Sequence, residues 1–191
     1  MNRQRMNKVT GFTLIELMIT LAIAAIILGF GVPSFQRIIN NNQLTSAANA
    51  LVASVNLARS EAVKRGQRMT ICKSSDGASC TNSGGYQQGW IVFTDTNANA
   101  AVDAGEQVLK VTEAFPASLT FAGAGNVNNY ISYDSSGILS RIGAGAPNGS
   151  LTLCKQNYRD SARRIFISLI GRIRIQRFDT ATVPTAASLC P

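Results

Sequence analysis

Basic and apolar residues alternate in a short stretch near the C-terminus. Directly after Gly171, Arg172 and Arg174 alternate with Ile173 and Ile175. Residues two apart in a strand share a face and lie about 6.6–7 Å apart, so an extended stretch places both arginines on one side. Successive phosphates of a DNA strand have a similar spacing, since they rise about 3.4 Å along the axis and more along the backbone. Because the guanidinium offers a fork of donors suited to phosphate, the pattern predicts contact with a polyanion.

The distribution of charge favours the same interpretation. The formal net charge is +8, but residues 74–136 hold six acidic residues against one basic, whereas residues 137–191 hold eight basic against two acidic. Such a separation gives a directional surface potential that favours a polyanionic partner. The basic residues that could widen the arginine site are Lys155, Arg159, Arg163, Arg164 and Arg177. Charge alone leaves another interpretation open, in which the arginines keep an exposed strand soluble and protect a sheet edge.

The segment 95–106 has the spacing of oxygen donors found in a calcium loop. The donors at positions 1, 3, 5, 9 and 12 of such a loop are Asp95, Asn97, Asn99, Asp103 and Glu106. Ala100 stands where the sharp turn of a calcium loop needs glycine, and the flanking residues read as strands rather than helices. Asn and Asp also favour turns through local hydrogen bonds. We therefore favour a polar hairpin turn, and we predict neither a metal nor a cofactor.

Other signs of chemistry are weak. The glycine-rich segment 143–149 lacks the Gly-Lys-Ser/Thr ending of a phosphate-binding loop and reads as a flexible loop. The chain contains no histidine, and no serine or cysteine has an evident base. The sequence therefore does not predict an enzyme.

An apolar segment near the N-terminus predicts a membrane span. Residues 12–32 are almost all apolar, small or hydroxyl-bearing, and about 20 such residues cross a bilayer as a helix. Glu16 is the one charge in it, and a carboxylate within a span is a candidate functional residue because burying it in hydrocarbon is costly. Arg3, Arg5 and Lys8 precede the span and predict a cytoplasmic N-terminus.

Residues 11–17 read Gly-Phe-Thr-Leu-Ile-Glu-Leu and resemble the class III leader of type IV pilins and type II secretion pseudopilins. A secretory signal would instead place its small-residue cleavage site after the apolar segment. The resemblance implies that a prepilin peptidase cuts after Gly11 and that the new N-terminal Phe12 is methylated. It also implies that Glu16 pairs with the N-terminal amine of a neighbouring subunit during assembly. Without the leader, the net charge falls to +5, since three basic residues leave.

The four cysteines predict two disulfides, because an even number on the outer side of a membrane favours pairing. Three pairings are possible. We favour Cys72–Cys80, which closes a short polar loop and leaves Cys154–Cys190 to tie the C-terminus to the domain. A zinc site is the alternative, but the chain has no Cys-x-x-Cys spacing and no histidine.

A long helix followed by strands defines the predicted fold. An apolar stripe recurs at spacings of three and four, and Gly66 ends the helical pattern. Its members are Leu44, Ala48, Leu51, Val55, Ala58 and Ala62. We predict one helix over residues 13–65, with a kink or local melting at Pro33. Beyond it, strand patterns cover residues 68–73, 90–94, 108–112, 130–133, 150–154, 165–170 and 172–178. Many short strands without helices between them predict an α+β fold with antiparallel pairing.

Several segments together resemble the FimT/GspH family of minor pilins and pseudopilins. They are residues 51–65, 72–80, 89–93, 95–106 and 171–174, and with the leader they cover most of the chain. The resemblance implies a type IV pilin-like fold, in which a long N-terminal helix packs on an antiparallel two-sheet β-domain. In FimT-type minor pilins, a Gly-Arg-x-Arg motif near the C-terminus is associated with DNA binding, and Gly171, Arg172 and Arg174 match it.

These expectations give a layout and a function. The layout is a leader over residues 1–11, a transmembrane helix over 12–33, a periplasmic half of the helix over 34–66, and a β-domain with a basic C-terminal region over 67–191. The predicted function is that of an inner-membrane minor pilin that enters a type IV pilus at the cell surface. There it binds double-stranded DNA for uptake in natural transformation. The alternative is a pseudopilin or priming subunit of type II secretion or pilus assembly that does not bind DNA.

Overall fold

The computed structural model describes residues 11–142, 147–156 and 158–178. Within this part, one long helix, α1 (Leu14–Arg65), is followed by antiparallel strands. The strands are β1 (Met69–Lys73), β2 (Trp90–Thr94), β3 (Val108–Thr112), β4 (Leu119–Gly125), β5 (Tyr130–Tyr133), β6 (Gly149–Lys155), β7 (Tyr158–Ile167) and β8 (Ile173–Phe178). By internal contacts the chain divides into two units, Met1–Ile39 and Asn40–Pro191.

The first unit contains the apolar start of α1. The hydroxyl of Thr13 accepts a hydrogen bond from the backbone N–H of Glu16 at 3.3 Å, so it caps the helix at its N-terminus. An 18-residue window of α1 has a mean hydropathy of 2.4, and by length and composition the helix can cross a membrane. The helix continues through Pro33 without a break, so the local melting predicted there is not found. One proline removes one backbone donor, and the turns on either side keep their own hydrogen bonds.

In the second unit, the C-terminal part of α1 packs its predicted stripe against both sheets. All six stripe residues are buried, and they share one core with residues from the inner faces of the two sheets. One polar contact within this core joins α1 to β2, in which Trp90 Nε1 donates to Ser54 Oγ at 2.9 Å. Gly66 follows the helix with φ of +64°, a conformation that glycine adopts without steric cost. The long helix on an antiparallel two-sheet domain confirms the predicted fold.

The two sheets have different strand orders. The first has the order β3-β2-β1-β5 and the second the order β4-β6-β7-β8, with antiparallel pairing throughout. The sequence pattern misses β4, because its Ala and Gly residues have low strand propensity and seven cross-strand pairs with β6 hold it instead. The sequence pattern also places the start of β7 at residue 165 rather than at Tyr158, because the first residues of this strand are mostly polar.

A disulfide joins Cys72 and Cys80, which is the pairing that the sequence favours. The loop that it closes is ordered by Asp76, whose carboxylate accepts hydrogen bonds from the backbone N–H groups of Ala78 and Ser79 at 2.9 and 2.8 Å. Lys73, which directly follows Cys72, is buried and donates to the carbonyl oxygens of Asn82 and Gly84 and to Asn129 at 3.0–3.1 Å. Burial lowers the pKa of Lys73 because it disfavours the charged amine.

The segment between β2 and β3 forms a hydrogen-bonded hairpin loop, as the polar-turn interpretation predicts. The buried carboxylate of Asp95 accepts hydrogen bonds from Thr70 Oγ1 and from the backbone N–H of Asn99 at 2.7 and 3.0 Å. Asp103 accepts from the side-chain amides of Asn97 and Asn99, which lower the pKa of its carboxyl. Within the described ranges, no group of three or more His, Cys, Asp or Glu residues is placed to hold a metal ion. The loop carboxylates are engaged by donors of the protein itself.

Candidate nucleic-acid interface

The predicted arginine site lies on the hairpin formed by β7 and β8, at the edge of the second sheet. Three hydrogen bonds close the turn of this hairpin. The N–H of Gly171 donates to the Ser168 carbonyl at 2.8 Å, the N–H of Ser168 donates to the Arg172 carbonyl at 3.0 Å, and the N–H of Arg172 donates to Ser168 Oγ at 3.1 Å. The backbone of Arg172 is therefore fixed although its side chain is exposed.

Gly171 is required at this turn for two reasons. Its φ is +74°, a value that residues with a side chain rarely adopt. A Cβ added here would lie 2.7 Å from Cε1 of Tyr133, which comes from β5 of the other sheet. The Tyr133 hydroxyl lies 3.5 Å from the Gly171 carbonyl, and burial raises the pKa of Tyr133 to about 12. The turn therefore rests directly on the first sheet, and Gly171 makes that contact possible.

The register of the hairpin determines which side chains share a face with the arginines. Arg174 lies opposite Phe166, and Gln176 lies opposite Arg164, so these four side chains lie on one face of the sheet. Arg172 is two residues before Arg174 and belongs to the turn that precedes β8. The Arg164 guanidinium lies 5.0 Å from the centroid of the Phe166 ring, a cation–π contact, and its Nε donates to Ser150 Oγ at 3.2 Å.

Arg172 and Arg174 are exposed. In the described part of the chain neither forms an ion pair, since the ion pairs there join Glu61 to Lys64 and Arg65. Within the described residues, no carboxylate therefore neutralises their charges. Two such guanidinium groups, two residues apart along the chain, can each contact a phosphate.

The other basic residues predicted for the site are placed differently. Arg163 is only 3% exposed and donates to Asn41 Oδ1 on α1 at 2.8 Å, so it stabilises the contact between sheet and helix. Lys155 likewise donates to Gln43 of α1. Arg177 is exposed, but it lies opposite Arg163 and therefore on the other face of the hairpin from Arg174. We accordingly leave Arg163 and Lys155 out of the interface and keep Arg164 as a neighbour of it.

Some predictions fall outside what the structure describes. Cys190 lies outside the described residues, so the Cys154–Cys190 disulfide stays a prediction. The side chain of Arg159 and most of the glycine-rich segment, residues 143–146, lie outside them as well.

The sequence pattern misses three residues that build the site. Ser168 fixes the turn, Tyr133 supports Gly171, and Phe166 holds the Arg164 guanidinium. The strand alternation that reveals Arg172 and Arg174 also applies to Phe166, and it would have placed the ring on their face once β7 and β8 were paired. No sequence signal connects Tyr133 with Gly171, since they are 38 residues apart.

Comparison with known proteins identifies the family. The family model described as type II transport protein GspH matches residues 47–171, and a prokaryotic N-terminal methylation motif matches residues 6–32. The chain therefore belongs to the GspH family, which comprises structural pilins and pseudopilins. The methylation motif and the class III leader, together with the apolar start of α1, fit membrane anchoring of such a protein.

The chain is also similar to a minor pilin and to a pilin-like protein. The crystal structure of the type IV minor pilin FimU of Pseudomonas aeruginosa is similar with a TM-score of 0.53 and 25% identity, over 71% of this chain and 89% of that one. A pilin-like protein PilA1 of Thermus thermophilus is 35% identical over 97 residues, which are 51% of this chain and 55% of the relative. The chain thus matches about half the length of that relative.

Proposed function

We propose that this chain is a minor pilin that binds double-stranded DNA through Arg172 and Arg174. The observation that carries the proposal is the pair of exposed arginines that line one groove of an edge hairpin, without a carboxylate partner in the described part of the chain. Contacts of this kind go to phosphate oxygens and give little sequence preference. Arg164 adds positive charge on the same face.

The proposal includes a route to the cell surface. The chain is inserted in the inner membrane with its N-terminus in the cytoplasm and its β-domain in the periplasm. A prepilin peptidase cleaves after Gly11, Phe12 is methylated, and the mature subunit joins other pilins in a type IV filament. Glu16 pairs with the N-terminal amine of a neighbouring subunit, because a lone carboxylate in hydrocarbon is costly. The filament then presents the arginine face to DNA that is taken up in natural transformation.

The experiment that tests DNA binding uses the full chain in a non-ionic detergent. Fluorescence anisotropy measures the Kd for a labelled blunt duplex at about 50 and about 200 mM salt. We expect the double variant Arg172→Gln/Arg174→Gln to weaken binding roughly tenfold or more at the lower salt. The slope of log K against log salt should fall by about two, because two phosphate contacts are lost.

A control separates the site from net charge. Lys64→Gln/Lys110→Gln removes the same number of charges from α1 and β3, outside the hairpin, and should leave the Kd nearly unchanged. Arg177→Gln tests the other face of β8 and should have a smaller effect than Arg172→Gln or Arg174→Gln alone. Equal losses in the site variant and in the control would contradict a specific interface.

A second candidate function is a pseudopilin of type II secretion, which the description of the matching family favours. In that role the arginines contact acidic surfaces of other pilins rather than DNA. The absence of any duplex binding at low salt, together with loss of filament incorporation in the double variant, would favour this alternative.

A further inference from the structure

An open groove lies beside the turn between β7 and β8. Its volume is 1110 Å³. Pockets that hold drug-sized organic molecules measure about 300–1,000 Å³, so the groove has room for flat rings as well as charged groups. It is bordered by the turn on one side and by residues of β4 and β6 on the other.

The apolar side chains of the groove are unusually accessible. Leu169 and Ile170 form the tip of the turn and are 52% and 57% exposed. Phe166 and Ile173 lie beside them along the groove and are partly exposed. Exposed apolar clusters of this kind mark places where another molecule binds, because covering them releases water from apolar surface.

The charged side chains that line the groove indicate the chemistry of the molecule that binds there. Arg172 and Arg174 both line the groove, and none of its described lining residues is acidic. The occupant therefore carries anionic groups next to flat apolar surface. A DNA single strand has this chemistry, since its phosphates alternate with unpaired bases that stack on aromatic and apolar side chains. In a blunt duplex the bases are stacked inside, so only its phosphates could use the site.

We infer that the groove receives unpaired bases of DNA, from a single strand or a frayed end, while Arg172 and Arg174 hold the flanking phosphates. Phe166, Leu169 and Ile170 supply the surface on which the bases stack. The inference rests on the proposed DNA binding and adds the form of DNA that the site prefers. A free DNA end would then be the part of the molecule that the site engages best.

The test compares DNA forms at one salt concentration. The full chain in non-ionic detergent is titrated with a labelled oligothymidine, with a duplex that has a single-stranded overhang, and with a blunt duplex of equal length. We expect the single strand and the overhang to bind roughly tenfold more tightly than the blunt duplex, as base stacking would provide. Phosphate attraction alone cannot give this order, because a duplex has the higher charge density.

Variants then assign the preference to the groove. Phe166→Leu and, separately, Leu169→Ser/Ile170→Ser should reduce the ratio of single-strand to duplex affinity towards one. The double variant changes exposed tip residues, so it tests the groove even if Phe166→Leu lowers stability. Ile175→Ser is the matched control, since Ile175 is an exposed apolar residue of β8 on the opposite face from Arg174. It should leave the ratio unchanged.

The outcomes separate this inference from the proposed function. Equal or tighter binding of the blunt duplex overturns the inference alone, provided that binding still depends on Arg172 and Arg174. A groove variant that lowers incorporation into filaments without changing the DNA ratio also overturns it, because the groove would then bind another pilin. Loss of all DNA binding in the wild-type chain overturns the proposed function as well.

Discussion

Gly171 shows how a single residue positions a charged site that it does not itself contact. The exposed arginines follow it, and their direction depends on a turn that needs positive φ and close approach to Tyr133. A side chain at this position would strain the backbone and collide with the tyrosine ring. In this structure the glycine of the Gly-Arg-x-Arg motif is therefore a positioning residue.

We expect Gly171→Ala to lower the free energy of unfolding by about 2–4 kcal/mol, from backbone strain and the collision together. DNA affinity should also fall, although both arginines remain. Chemical denaturation followed by circular dichroism measures the first effect, and fluorescence anisotropy measures the second.

Gly66→Ala is the matched control for this substitution. Gly66 has a similar φ of +64°, but a Cβ there would have nothing within 4 Å. It should cost only about 1–2 kcal/mol and leave DNA affinity unchanged. If both variants lose the same stability, the contact with Tyr133 does not contribute.

At the scale of elements, the loop between Cys72 and Cys80 depends on one carboxylate. Hydrogen bonds from Ser79, from the N–H of Ala78 and from Ser74 hold the pKa of Asp76 well below its ordinary value. The unfolded chain therefore binds this proton more readily than the folded one. The stabilisation by Asp76 is fully present above the pKa of the unfolded state and is lost as the pH falls through the folded pKa.

We expect the midpoint of thermal unfolding to decrease as the pH is lowered below about 4. Asp76→Asn removes the titrating group, so its midpoint should be lower at neutral pH and should depend less on pH in the acid range. A residual slope remains in the variant, because hydrogen bonds also lower the pKa values of Asp103 and Glu61. Identical acid slopes in the two proteins would show that the loop carboxylate makes no contribution.

At the scale of the whole molecule, the membrane-anchoring features and the arginine hairpin lie in different units of the chain. The N-terminal unit has the methylation motif and the apolar helix, whereas the arginine hairpin is at the edge of a sheet in the second unit. Variants of the hairpin should therefore leave membrane insertion and processing intact, and variants of the leader should leave the proposed DNA site intact.

Processing is open to a direct test by intact-mass spectrometry after co-expression with a prepilin peptidase. We expect a mass that corresponds to residues 12–191 with one added methyl group. Gly11→Val should keep the leader attached, because a branched side chain replaces the small residue at the cleavage site. Arg172→Gln/Arg174→Gln serves as the control and should be processed normally. Cleavage of the Gly11→Val protein at the same bond would contradict the role of Gly11 at the cleavage site.

Elements that depend on local interactions could be predicted from the sequence, whereas elements that depend on long-range contacts could not. The stripe from Leu44 to Ala62 was readable because helix periodicity is local, and β2 and β3 were readable from β-branched and aromatic residues. The strand β4 was not, since pairing with β6 outweighs the low propensity of its Ala and Gly residues. Charge alone predicts that Arg163 and Lys155 belong to the interface, but it does not reveal that their partners are Asn41 and Gln43 on the helix.

The sequence by itself determined the leader, the apolar helix and the alternation of Arg172 and Arg174, because each depends on residues close together in the chain. Only the tertiary structure decided which basic residues share a face, since that depends on the register between β7 and β8. It also brought Tyr133 of one sheet beneath Gly171 of the other and formed the groove beside the turn. Long-range packing sets these contacts, and no local pattern encodes them.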